Sequence, residues 1–328
     1  MPRTQSLSYL AMAIAVPTAM LGQPSGLVAS GAVTVPFAFE GKRPPVWGGN
    51  AVLVADGPLV SPGNFMGFNH DGRQVFQAGF FIPGASNTAV DGFARGADGT
   101  VALCGRSYAS DGRGAPFIAW ISADGNSQQV IRTEPYSPRV IAVAPDGTLW
   151  TVGKELNSDG SEKSGVNLDA GVVRHFDRTG KSLGTFIPRS SIQDSTHLTN
   201  QQSLLAAAAD RAGWLHFDRS NRGAYVEISS DGNIATYPMP QTQAKGMRFG
   251  GIAFTDSGDV FAEVDNPDGN SNFSLFALNR SAGQWLPVRI PASGRWALLL
   301  GGSGNELAFT YGPGSSYSTI HFFVPDSK

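Results

Sequence analysis

The sequence has little charge, one cysteine and no long apolar run. Only 15% of the 328 residues are charged and the formal net charge is −2, which argues against general binding to nucleic acids or other polyanions. No apolar run is long enough to span a membrane. The single cysteine, Cys104, excludes an internal disulfide, and it follows Leu103 in an apolar stretch, so we expect it to be buried. With 41% hydrophobic residues and 41 glycines, the composition indicates a globular chain with a large core and many turns.

One pattern recurs along the chain: two short apolar runs joined by a turn that contains glycine. Within Ser137–Gly153, the apolar runs Val140–Ala144 and Leu149–Val152 flank Asp146-Gly147. Asp-Gly favours a tight hairpin, because such turns need positive φ and glycine adopts it at little cost. Strands that are apolar at every position must be covered on both faces. The stretch therefore predicts a β-hairpin deep inside the molecule.

Imperfect copies of this hairpin occur before and after it. The other copies begin at Ala51, Gly92, Leu204, Ile252 and Trp296. The turn glycines are Gly57, Gly99, Gly147, Gly213, Gly258 and Gly304, with spacings of 42, 48, 66, 45 and 46 residues. A period of about 40–50 residues is typical of propeller blades, and the spacing of 66 indicates one blade with an insertion. Leu204–Ala209 favours helix by propensity, but its place in the repeat predicts a strand.

A second, outer hairpin follows each inner one, which predicts blades of four antiparallel strands. The last blade has only three strands, ending with Thr319–Phe323, and Ala32–Phe37 can supply the missing outer strand. Pairing the two ends of the chain closes the ring and leaves only short, protected sheet edges. The predicted fold class is therefore all-β, a six-bladed β-propeller over residues 32–328 that an N-terminal strand closes in the last blade.

Residues 1–31 have a different composition. Arg3 precedes the apolar run Leu7–Val16, and small residues follow at Ala29–Ala32, a pattern that resembles a secretory signal peptide. We expect residues 1–31 to be a signal peptide or a disordered start, and the protein to be secreted or periplasmic. A misplaced initiation codon is the alternative.

The third inner hairpin carries a resemblance to a known family. Ile141–Trp150, together with Val173–Lys181 and Phe186, resembles the repeat of NHL-type and TolB-like six-bladed propellers. The resemblance covers most of the chain after residue 32 and implies the fold. Such propellers include enzymes, receptors and scaffolds, so it implies no single activity.

Topology places the tight turns on one face and the longer links on the other, which we call the loop face. The longer links span residues 106–115, 154–170, 218–223 and 265–271. Variable loops on a rigid scaffold usually carry binding sites, so we expect function at the loop face.

The residues that open the inner strands are expected to ring the mouth of the central funnel. By alignment of the repeats they are Asn50, Asp91, Arg139, Gln202, Arg248 and Arg295. Three arginines at one mouth could bind a carboxylate or phosphate through paired hydrogen bonds. Alternatively, each arginine pairs with a neighbouring acid or lines a solvated rim.

Two classes of function fit these predictions. The first is a secreted binding module that presents its loops and an arginine-lined funnel to a small anionic ligand or a partner protein. The second is a propeller enzyme, a lactonase-like hydrolase or a lyase, that acts at the funnel with a metal held by carboxylate and amide groups. Asp91 is the one carboxylate of the predicted ring, which disfavours a metal. We expect no metal, no cofactor and a monomer, and the sequence indicates no catalytic residues.

Overall fold

A computed structural model describes residues 26–36, 44–56, 63–157, 170–191, 203–217, 223–240, 248–265, 274–291, 297–311 and 318–326. These residues form 24 strands in six four-stranded sheets, and neighbouring strands of each sheet pair antiparallel. No helix among them is long and apolar enough to cross a membrane.

Each sheet is one blade, with one strand innermost, at the central channel, and three further strands toward the outside. From the innermost strand outward, blade 1 is β2 (Val46–Gly48), β3 (Ala51–Asp56), β4 (Asn64–Phe68) and β5 (Gln74–Gly79). Blade 2 is β6 (Asn87–Arg95), β7 (Val101–Tyr108), β8 (Gly114–Ile121) and β9 (Gln128–Arg132). Blade 3 is β10 (Tyr136–Val143), β11 (Leu149–Glu155), β12 (Gly171–Phe176) and β13 (Ser182–Pro188), followed by a 3₁₀ turn at Arg189–Ser191. Blade 4 is β14 (Ser203–Ala207), β15 (Arg211–Phe217), β16 (Gly223–Ser229) and β17 (Ile234–Pro238). Blade 5 is β18 (Arg248–Phe254), β19 (Val260–Asp265), β20 (Ser274–Asn279) and β21 (Gln284–Val288). Blade 6 is β22 (Ala297–Ser303), β23 (Glu306–Tyr311), β24 (Ser318–Pro325) and β1 (Leu27–Val35).

The six inner strands form a closed ring. Each contacts the inner strands of the two neighbouring blades, and β2 contacts both β6 and β22, so the last blade meets the first. The N-terminal strand β1 pairs with β24, with Val33 opposite Ile320. The predicted six-bladed propeller is therefore confirmed. The closing strand begins at Leu27, earlier than the predicted Ala32, and so includes the end of the leader expected at residues 1–31, of which residues 1–25 lie outside the described residues.

The core consists of six apolar clusters, one between each pair of adjacent blades. Between blades 1 and 2, for example, the rings of Phe65 and Phe93 meet edge to face with centroids 5.6 Å apart. Both faces of a blade are thus covered, which explains why the inner strands are apolar at nearly every position. Cys104 is fully buried between blades 2 and 3, as expected.

The Asp146-Gly147 turn has the predicted geometry. Gly147 adopts φ 84°. The Ala144 N–H donates to the Thr148 carbonyl (2.9 Å), and Asp146 Oδ1 accepts the Thr148 N–H (2.9 Å). The carboxylate thus holds the turn from outside while glycine supplies the positive φ.

The first blade differs from the prediction. Ala51–Asp56 is the second strand, β3, and the inner strand is the short β2 before it. The turn between them is Gly49-Asn50, with φ 52° and 56°. Positive φ at both central residues is the signature of a two-residue hairpin turn, and Gly-Asn meets it. Asn50 therefore lies at the tight-turn end of blade 1, so its predicted place at the opening of an inner strand was wrong.

Two other predicted boundaries also move. In blade 4 the strand predicted from Leu204 is confirmed, but Gly213 lies inside β15 and the turn is the shorter Ala209-Asp210. In blade 2 the strands β7 and β8 run further than expected, and the predicted long link shrinks to residues 109–113. The other three predicted links are mostly outside the described residues, which omit 158–169, 218–222 and 266–271 of them.

Candidate functional site

Asp91 and Arg139 occupy equivalent positions in adjacent blades. Each is the extra residue of a β-bulge in its inner strand and lies five residues before the first residue of the tight turn, Gly96 or Ala144. A bulge re-aims the side chain of its extra residue. The two side chains meet: Arg139 Nη1 lies 2.7 Å from Asp91 Oδ2, with 25% and 17% of the side chains exposed. The structure thus brings these two predicted residues together as an ion pair.

The other predicted funnel residues do not stand at this position. The bulge of β18 falls at Gly250, five residues before Thr255, so Arg248 lies two residues nearer the loop face than the level of Arg139. Asn50 lies at the opposite, tight-turn end. Gln202 and Arg295 lie outside the described residues, and the structure describes the backbone of Arg248 only. Ligand binding by these residues stays a prediction.

A third charged residue joins the seam between blades 2 and 3. Arg106, on β7, is buried, and its Nε donates to Ser137 Oγ on β10 (3.1 Å). Burial lowers the pKa of Arg106, and the like charge of Arg139 lowers it further, against opposing interactions with Tyr108 and Asp91. Sequence alignment did not find Arg106, because it lies on a second strand. The guanidinium groups of Arg106 and Arg139 therefore lie near the carboxylate of Asp91 between blades 2 and 3.

Arg106 also lines an open cavity of about 460 Å³ on the loop face of blade 2. Its walls come from the ends of β7, β9 and β11, the β7–β8 turn, and the links into β6 and β10. Arg132, the last residue of β9, lies in the same wall, where its Nη1 donates to Ser107 Oγ (2.6 Å) and to the Ala115 carbonyl (3.2 Å). These bonds hold the Arg132 guanidinium at the rim of the cavity.

Much of the remaining wall is apolar. The apolar lining residues are Pro83, Ala85, Tyr108, Ala109, Ala115, Pro116, Pro135 and Leu156. Gly114 lets the Tyr108 ring pack closely against the backbone, because a Cβ at that position would lie 3.1 Å from Cε1 of the ring. The cavity is therefore an apolar hollow with arginines at its edge.

The formal charge of the cavity wall is positive. Arg106, Arg113 and Arg132 line it together with Glu134, and Arg113 Nε binds Asp111 Oδ2 at 2.6 Å. The positive charges of the three arginines and the negative charges of Glu134 and Asp111 give a net formal charge of +1. The Arg139–Asp91 pair beside the cavity is neutral.

A further arginine on the same seam is held inside the fold. Arg174 lies over the ring of Tyr136, 4.0 Å from its centroid, and its Nη2 lies 3.1 Å from Glu155 Oε1. The Tyr136 hydroxyl donates to the Val172 carbonyl (3.0 Å), and burial raises the pKa of Tyr136. Arg174 thus serves packing, whereas Arg106 and Arg132 face the cavity.

The tight-turn end of the central channel has a different character. A hollow of about 140 Å³ is lined there by residues of the six inner strands and the turns that follow them, and more of its surface is polar than apolar. Arg95 reaches into this hollow, but its Nη1 donates to the Gly49 carbonyl (2.5 Å), and burial lowers the pKa of Arg95. No group of three or more His, Cys, Asp or Glu residues that could hold a metal ion occurs in the described part of the chain.

The closed ring of six sheets makes this chain a six-bladed β-propeller. No family model matches the sequence, and no curated protein matches it. Similar solved structures include a luciferin-regenerating enzyme, with 13% identity, a TM-score of 0.49, and coverage of 90% of this chain and 95% of that one. A glucose dehydrogenase shows 12% identity and a TM-score of 0.46 over 90% of this chain and 98% of that one. The WD40 domain from Toxoplasma gondii coronin shows 8% identity and a TM-score of 0.45 over 93% and 90%. None of these similarities carries an activity to this chain.

Proposed function

We propose that this propeller is a binding module that takes an anionic ligand, or an acidic group of a partner protein, at the loop face of blade 2. The observation that carries the proposal is the cavity itself, in which Arg106 and Arg132 stand at the edge of an apolar hollow. A largely apolar pocket with a few convergent polar groups is the common form of a small-molecule site. The proposed site thus lies between blades 2 and 3 and not in the central funnel, and the Arg139–Asp91 ion pair lies near Arg106.

An NMR titration tests this proposal. Amide shifts of the ¹⁵N-labelled protein are followed while a pool of small carboxylates, phosphates and sulfonates is added at constant ionic strength. We expect saturable shifts centred on Tyr108, Gly114 and Ala115, because these residues line the cavity. Shifts confined to the central channel would place the site at the funnel instead, and conversion of a bound compound to a product would favour the hydrolase or lyase alternative.

A matched pair of variants makes the titration specific. Arg132→Gln removes one charge at the cavity, and Arg73→Gln removes the same charge from the exposed β4–β5 turn on the tight-turn face. The apparent affinity from the titration should fall at least about tenfold in Arg132→Gln, because a charge-assisted hydrogen bond is lost. It should be unchanged in Arg73→Gln. Equal behaviour of the two variants would contradict the proposal.

We also propose that the propeller is of the NHL or TolB-like type and that the chain is exported. The repeat in Ile141–Trp150 and the leader-like pattern of residues 1–31 support these proposals. The mass of the N-terminal peptide after expression in a bacterial host, with periplasm and cytoplasm separated, tests export. A cleaved N-terminus in the periplasm is expected, and an intact Met1 in the cytoplasm would contradict it.

A further inference from the structure

The chemistry of the blade 2 cavity limits the class of its ligand, provided that the proposed function holds. Its volume of about 460 Å³ falls in the range of pockets that enclose a small organic molecule, about 300–1,000 Å³. Proline, alanine and leucine side chains and the Tyr108 ring supply most of its wall. A bare inorganic ion would leave this apolar surface unused, so the ligand should have an apolar body as well as a charge.

The arginines of the wall retain hydrogen-bonding capacity. A guanidinium carries five N–H donors. Nε of Arg106 donates to Ser137, the Arg106 guanidinium also interacts with the Tyr108 hydroxyl, and Nη1 of Arg132 donates to Ser107 and Ala115. These bonds use some of the N–H donors and fix the orientation of both side chains. The remaining donors of each planar guanidinium can then bind a carboxylate through two parallel hydrogen bonds.

The charge of the wall favours a monoanion over a dianion. The net formal charge of the lining arginines, Glu134 and the Arg113-bound Asp111 is +1. A phosphate monoester carries between −1.5 and −2 near neutral pH, which exceeds the net positive charge of the wall. A carboxylate carries one charge and has the planar form that a guanidinium binds through two bonds.

We propose that the cavity beside Arg106, Arg132 and Tyr108 binds an arylalkyl or similar apolar monocarboxylate. The carboxylate contacts the guanidinium groups of the buried Arg106 and the exposed Arg132 in the cavity wall, and the apolar body packs against the Tyr108 ring and the proline side chains.

Calorimetric titration with four probes tests the proposal. The probes are 3-phenylpropanoate, its neutral amide 3-phenylpropanamide, acetate and phenyl phosphate. We expect 3-phenylpropanoate to bind at least about tenfold more tightly than the other three, because the amide lacks the charge, acetate lacks the apolar body and phenyl phosphate carries excess charge. Tyr108→Ala should weaken the binding of 3-phenylpropanoate, whereas Tyr108→Phe, which keeps the ring and removes only the hydroxyl that interacts with Arg106, should retain it. Arg73→Gln should leave the binding of 3-phenylpropanoate unchanged.

The outcomes separate this inference from the function on which it rests. If phenyl phosphate binds more tightly than 3-phenylpropanoate and Arg132→Gln abolishes that binding, the anion site stands and the carboxylate class is wrong. If the amide binds as tightly as the carboxylate, the charge argument is wrong. If no probe binds, or if Arg132→Gln has no effect on any of them, both the inference and the proposed function are overturned.

Discussion

Aspartate carboxylates hold the tight turns of this propeller from the solvent side. Asp231 Oδ2 accepts the side-chain amide of Asn233 (2.7 Å), and Asp124 Oδ2 accepts that of Asn126 in the same way (3.0 Å). Hydrogen bonds from neighbouring serines and from these asparagines lower the pKa of both carboxyl groups. The recurrence of Asp-Gly in the sequence therefore reflects the chemistry of the turns, which is why it predicted most turns correctly.

His175 is one of the buried side chains with polar atoms that lack a hydrogen-bond partner among the described residues. Its ring stacks on Trp150, with centroids 4.0 Å apart and planes 9° from parallel. Both ring nitrogens are buried and have no hydrogen-bond partner among the described residues. Burial lowers the pKa of His175, against a smaller attraction from Asp146. The imidazole is therefore neutral in the folded protein at neutral pH.

This environment predicts a pH-dependent stability. The folded-state pKa of His175 is lower than its unfolded value of about 6.5. At pH values between the two, His175 is protonated in the unfolded state and neutral in the folded state. The free energy of unfolding should fall as the pH drops below about 6.5, by at most about 1.4 kcal/mol per pH unit until the folded pKa is reached. His175→Phe keeps the ring stack and removes this contribution.

Urea unfolding of both proteins at pH 7.5 and 5.5 measures the effect. The loss of stability between these pH values should be smaller in His175→Phe than in the wild type. His321, whose pKa burial also lowers, is present in both proteins, so its contribution cancels. Equal losses in the two proteins would show that His175 does not titrate as described.

Among the strands, β1 carries the closure of the ring. Val35 and Val33 face inward and are buried, whereas Val28 in the same strand is 52% exposed. Val33 and Val35 pack in the cluster between blades 6 and 1, together with Phe322. The strand therefore contributes both backbone pairing to β24 and apolar contact to the neighbouring blade.

Paired substitutions in β1 test its role. Val35→Asp buries an unpaired charge and should lower the free energy of unfolding by about 3 kcal/mol or more. Val28→Asp introduces the same charge at an exposed position of the same strand and should change the free energy of unfolding by less than about 0.5 kcal/mol. The midpoint of urea unfolding reports both values. Similar midpoints for the two variants would mean that β1 does not form part of the core.

Strand type and order were predictable from the sequence because the apolar runs and turn residues act locally. Errors arose where the turn used other chemistry. Gly49-Asn50 is a two-residue turn without the Asp-Gly pattern, and the alignment passed over it in favour of Asp56-Gly57. In blade 4, Gly213 looked like a turn residue but lies in a strand, where its lack of a side chain leaves room for the Tyr225 hydroxyl.

At the scale of the whole molecule, the repeat predicts some side-chain contacts and misses others. Asp91 and Arg139 are equivalent positions in successive repeats, so their adjacency follows from the ring itself. Arg106 and Ser137 are not equivalent positions, and their contact depends on how the second strand of blade 2 lies against the first strand of blade 3. The cavity is built from contacts of this second kind, which sequence spacing does not encode.

Binding beside blade 2, and not in the central funnel, is the proposal on which the function of this propeller depends. A crystal soaked with 3-(4-bromophenyl)propanoate and measured at the bromine absorption edge would locate the compound directly. We expect one strong anomalous peak near the Tyr108 ring, with the carboxylate in contact with Arg106 and Arg132. A peak in the channel between the six inner strands, with the blade 2 cavity empty, would contradict it.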